Sequence, residues 1–85
     1  MKRGDLVYIK WEDTAGCPMG WQLLEDVRGV ALAIVESVGW VMAKSRRGVQ
    51  LAAHVVVKGS TPAVQGYVSI PRSAILVERV IEKGG

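Results

Sequence analysis

Eighty-five residues with a single cysteine, Cys17, suffice for one small domain and exclude an intramolecular disulfide. The formal charge is +3, and no apolar run is long enough to span a bilayer, because Glu36, Lys44 and the Arg46-Arg47 pair interrupt the richest region. With no secretory leader in the sequence, the expectation is a soluble, cytoplasmic chain folded as one domain over residues 1–85.

Nearly half the residues are apolar, yet phenylalanine is absent, so the core must come from Val, Ile, Leu and Ala with three tryptophans and two tyrosines. Valine favours strands, because a branched Cβ loses less freedom on a pleated surface than in a helix. A mean hydropathy of +0.22 is hard to hide inside one small core, which points to self-association.

In chain order, residues 4–11 read as a first strand opened by a turn at Gly4-Asp5, with Val7, Ile9 and Trp11 on its inward face. Residues 12–22 contain Gly16, Cys17-Pro18 and Gly20 and have no period, so they read as a loop, pinned to the body by Trp21. Residues 22–28 fit a short helix stopped by Gly29, and residues 30–35 could prolong it or begin the next strand. From Ser37 the strand pattern is firm, with Gly39 marking a bend and Trp40 sharing a face with Val38 and Met42. Ser45-Arg-Arg-Gly48 has the composition of a hairpin turn. Beyond it Val49, Leu51, Ala53, Val55 and Val57 form the inward set of a third strand. A loop over residues 58–66 leads to a strand at residues 67–71, with Val68 and Ile70 inward and Pro71 ending the pairing. Arg72-Ser-Ala74 fits one turn of tight helix, and residues 75–81 close the fold as a last strand. The predicted architecture is mainly β: a small, strongly bent five-stranded antiparallel sheet or partly open barrel, Sm-like or Src-homology-3-like, with at most one short helix.

Catalytic chemistry finds no foothold. His54 is the sole histidine, and neither it nor the distant Cys17 stands at metal-ligand spacing. Cys17 has no neighbour to lower its pKa. Asp5, Asp13 and Asp26 would need a cleft that nothing in the sequence predicts, and no glycine-rich phosphate loop is present. The expectation is a non-enzyme without cofactor or metal.

Three stretches, Ser37-Val-Gly-Trp-Val41, Val49-Gln-Leu-Ala52 and Val68-Ser-Ile-Pro-Arg-Ser-Ala-Ile-Leu76, resemble a family of small uncharacterised proteins of phages, prophages and other mobile elements. Trp11-Glu-Asp and Gly20-Trp21 share that resemblance, which implies origin and shape but no activity. The order of bent strand, hairpin, strand and the segment from Tyr67 to Leu76 is also similar, more weakly, to Sm-like barrels, including the bacterial RNA chaperone of that type. Pro71-Arg72 stands where those proteins carry an RNA-contacting Lys-His pair, so only barrel shape and oligomerisation are carried over.

Two functions follow as expectations. One is an interaction or structural module that self-associates or meets a protein partner, with Trp40, Tyr67 and His54 at the interface; ordinary core packing is the simpler place for Trp40. The other is single-stranded nucleic-acid binding through Lys44, Arg46, Arg47, Lys58 and Arg72, in a segment with no acidic residue between Glu36 and Glu78. Its bland counterpart is a solvated basic turn guarding a valine-rich sheet.

Overall fold

The valine- and isoleucine-rich runs all become strands in the computed structural model, which describes residues 1–13, 21, 23–25 and 33–84. β1 (Leu6–Asp13), β2 (Ala33–Lys44), β3 (Gly48–Val55), β4 (Val64–Pro71) and β5 (Ile75–Glu82) make one antiparallel sheet, ordered β4-β3-β2-β1-β5. A 3-10 turn, Arg72–Ala74, joins β4 to β5; otherwise only Leu24 and Glu25 are helical among the described residues. No helix of the described residues is long and apolar enough to cross a membrane.

The connection between the two edge strands shows that the sheet is curled. β4 and β5 lie at opposite edges, which in a flat sheet would be roughly 19 Å apart at strand spacing. Three residues of 3-10 turn bridge only about 8–10 Å. The sheet therefore rolls until Pro71, paired with Gly48, comes close to Ile75, paired with Trp11. β2 is where the roll happens. It pairs with β1 along Ala33–Trp40 and begins pairing with β3 at Trp40. A Cβ on Gly39 would lie 2.9 Å from the Ala52 carbonyl oxygen, so glycine is what lets β2 pass this close to β3. The roll stops short of closure, and both edges stay open.

The concave face carries the core: Val7, Ile9, Trp11, Val41, Val49, Leu51 and Ile70 are buried together, with Val35, Val68, Ala74, Ile75 and Met1 against them. Burying a side chain such as Ile9 or Leu51 is worth about 1.5–3 kcal/mol. The indole N–H of Trp11 is not wasted there, since it donates to Ser37 Oγ at 3.0 Å.

Several sequence expectations need correction. β1 runs through Glu12 and Asp13, which the sequence assigns to the loop, because both pair with the start of β2. The inward set expected for the third strand is buried only at Val49 and Leu51; Val55 is 39% exposed, since β3 outruns the roll that covers its first half, and Val57, past the end of β3, is 95% exposed. Trp21 is fully exposed and pins nothing. Asp5 precedes β1 and Asp13 ends it, so the two stand apart, in keeping with the absence of an expected carboxylate site. Cys17, Asp26 and most of the expected loop and helix over residues 12–28 lie outside the described residues, as do residues 30–32.

Candidate functional site

The convex face holds the aromatic candidates. Leu6, Trp40, Ala52 and Tyr67 occupy one register row across β1, β2, β3 and β4. Trp40 is 39% and Tyr67 69% exposed, while Ala52 between them is buried. Trp40 is thus outside the core, because Val41 takes the inward position beside it. His54 lies opposite Gln65 on the same face and is exposed. The row does not act as one patch toward an edge: Tyr67 is on edge strand β4, whereas Trp40 is on the central strand.

The basic candidates divide. Lys44, Arg46 and Arg47 crowd the β2–β3 turn, whose backbone is set by Ser45: its N–H donates to the Gly48 carbonyl at 2.9 Å, and its Oγ accepts from the Arg47 N–H at 3.1 Å. Lys58 follows the opposite end of β3. The guanidinium of Arg72 is engaged by Glu78 at 3.1 Å, a half-exposed pair worth about 0–1 kcal/mol. Arg79 lies 4.7 Å over the Tyr8 ring. Burial, and then Glu36 beside it, push the Tyr8 hydroxyl above its ordinary value, with Arg79 opposing.

The turn expected at Gly4-Asp5 is present, but its docking against the end of β2 was missed. Lys2–Asp5 forms a turn closed by the Asp5 N–H donating to the Lys2 carbonyl at 3.1 Å, with Gly4 at φ +93 in its third position, the geometry of a type II turn. The Gly4 N–H donates to the Val41 carbonyl, the Val41 N–H donates to the Asp5 carbonyl, and Lys44 Nζ donates to the Met1 carbonyl at 3.1 Å. The first residues therefore run antiparallel to the end of β2, with Met1 beside Lys44 and Arg3 sharing a hollow with Trp40 and Met42. The signal was present in the glycine at position 4, but the partner strand was not readable.

Two depressions lie along this region. One, about 330 Å³, is bordered by Lys44, Ser45, Arg47, Gln50, Ser69 and Pro71. The other, about 410 Å³, is walled by Arg3, Trp40, Met42, Val55, Val57 and Val64. Among the described residues, no acidic side chain lines either one. Among the described residues no group of three or more His, Cys, Asp or Glu comes together.

Comparison with protein-family models, curated proteins and solved structures returned no match. What the geometry defines is a class: a small, open, curled five-stranded antiparallel sheet.

Proposed function

We propose that this chain is a non-enzymatic interaction module whose copies join edge to edge. The observation carrying this reading is the uncovered apolar surface of the two edge strands. On β5, Leu76, Val77, Val80 and Ile81 are exposed, and on β4 so are Val64 and Tyr67. An edge strand presents unpaired N–H and C=O groups to any extended segment, and chains usually guard it with charge. Here the guards on β5 are largely engaged within the chain, Glu78 by Arg72 and Arg79 by Tyr8. Register shifts at the two ends of β5 limit regular pairing to its middle, Val77 to Val80. β4 pairs with β3 from Val64 to Pro71, and the positive φ of Gly66 leaves Tyr67–Ile70 as the regular run that its free edge would offer, since Pro71 has no N–H to give. His54, next to β4 on the convex face, would border such a joint. The resemblance to small phage and prophage proteins supports an origin in a mobile element and adds nothing on activity.

Light scattering coupled to size exclusion tests the reading. The expected result is a species larger than one chain that is insensitive to salt, reduced to a monomer by Val77→Lys with Val80→Lys. A wild-type monomer at high protein concentration overturns it.

A further inference from the structure

Edge-to-edge association leaves one feature unused: an exposed tryptophan in the middle of the sheet, beside an arginine, next to a cluster of cations. From this we infer a second site on the same chain, one that binds single-stranded nucleic acid along a track the sequence does not reveal as continuous.

The track starts at the β2–β3 turn with Lys44, Arg46 and Arg47 and continues through Lys2 and Arg3, carried there by the Met1–Lys44 contact and the Gly4–Val41 and Asp5–Val41 backbone bonds. It ends at the 410 Å³ hollow, where Arg3 and Trp40 line the same space and Val57, immediately before Lys58, forms part of the wall. Of the nearby acids, Asp5 is 2% exposed, with both carboxylate oxygens turned to backbone N–H groups, from Gly84 at 2.8 Å and Lys2 at 2.9 Å, so it offsets part of the Lys2 charge but reaches none of the other cations with an ion pair. Glu82 pairs across β1, on the side away from β2. The one ion pair among the described residues is Arg72–Glu78, so it takes none of these cations.

The chemistry selects the ligand. A row of cations alone would suit any polyanion. A row leading to an indole face, with a second depression bordered by the amide of Gln50 and the hydroxyls of Ser45 and Ser69, suits a phosphodiester strand whose bases unstack onto protein. Phosphates lie on Lys2, Arg3, Lys44, Arg46 and Arg47, and one base lies on Trp40. Compared with the sequence reading, Lys58 and Arg72 leave the phosphate contacts and Lys2, Arg3 and Trp40 enter the site.

The test is fluorescence anisotropy of labelled oligo(dT) and oligo(U) with the full chain across a salt series, with vesicles of phosphatidylglycerol as a competing polyanion. Five phosphate contacts give a slope of log affinity against log salt of about −3.5, and so about a hundredfold loss between 50 and 200 mM salt. Arg46→Ala with Arg47→Ala keeps the Ser45 backbone contacts and flattens the slope by about 1.4. Trp40→Ala weakens binding roughly tenfold or more with the slope unchanged, because stacking releases no counterions. Trp40→Phe, which retains a stacking face, recovers most of that loss. Absence of binding at low salt, a slope indifferent to the arginine pair, or binding to vesicles without binding to oligonucleotides each overturns the proposal. A difference between the two oligonucleotides assigns the strand as DNA or RNA. The result stands apart from self-association, since Val77→Lys with Val80→Lys leaves every residue of the track in place.

Discussion

Asp5 ties the two ends of the described chain together: its Oδ1 accepts a hydrogen bond from the N–H of Gly84, 79 residues away, at 2.8 Å. Its Oδ2 accepts from the Lys2 N–H at 2.9 Å, so one buried carboxylate holds both the N-terminal turn and the segment following β5. Gly84 lies so close that a Cβ there would come within 2.6 Å of the Gly4 backbone. The clasp is what keeps Lys2 and Arg3 beside β2.

Those two N–H donors, Gly84 first and Lys2 second, hold the Asp5 carboxyl below its ordinary value of 3.8. A depressed carboxylate contributes stability that is present above the unfolded pKa and is lost as pH falls through the folded one. Asp5→Asn is therefore expected to melt several degrees below wild type at neutral pH. The gap should shrink as pH drops below about 4, the unfolded aspartate value. Thermal melts followed by circular dichroism at pH 7 and pH 3 check this, and a gap that does not change with pH removes the ionic role assigned to Asp5.

Gly48 makes a sharper prediction about backbone proximity. A Cβ at this position would collide with the Ile70 carbonyl oxygen and come within 3.2 Å of the Pro71 Cα, both rigid parts of the β4 backbone. Gly48→Ala should cost about 1–3 kcal/mol, or roughly 5–20 °C in a domain of this size. Gly59→Ala is the control, because its only close neighbour among the described residues is the far end of the Val56 side chain at 3.1 Å. Equal melting temperatures for the two variants would mean that β3 and β4 are not this close.

How much of this was legible follows from what alternation can say. In β1, period two names Val7, Ile9 and Trp11, and these are buried because β1 lies under the roll along its length. In β3 the same rule names Val55 and Val57; Val55 alternates as expected yet stays 39% exposed, and Val57 falls past the end of the strand. Alternation tells which way a side chain points; only the curl of the sheet tells whether that side is covered. The curl itself was half visible, in Gly39 and in the short Pro71-to-Ile75 link. For Trp40, size argued for the core, while its neighbour Val41 took the inward position and left the indole on the convex face. The pairings that build the candidate site, Met1 with Lys44 and Asp5 with Gly84, span 43 and 79 residues and leave no local trace.

The extent of the core can be measured directly. Leu51→Ala removes a buried side chain from the curled half of β3 and should cost about 2–5 kcal/mol. Trp21→Ala, despite deleting a far larger apolar surface, should stay within about 0.5 kcal/mol because that side chain touches water on all sides. Urea denaturation gives both values. A large loss from the tryptophan and a small one from the leucine would invert the assignment of core and surface.

The last prediction concerns a single hydroxyl. Ser37 faces Ile9 across the β1–β2 pair, on the covered side of the sheet, where a polar residue needs a reason to be. Its reason is the Trp11 indole, whose N–H donates to Ser37 Oγ at 3.0 Å. Ser37→Ala strands that donor in a largely apolar setting and should cost about 1–3 kcal/mol, the penalty for a buried group without a partner. Trp11→Phe removes the donor along with its need, at the expense of some packing. If the bond is the reason for the serine, the double variant Trp11→Phe with Ser37→Ala should be more stable than the sum of the single losses implies. Additive losses in that double-mutant cycle would mean that Ser37 and Trp11 are coupled only by proximity.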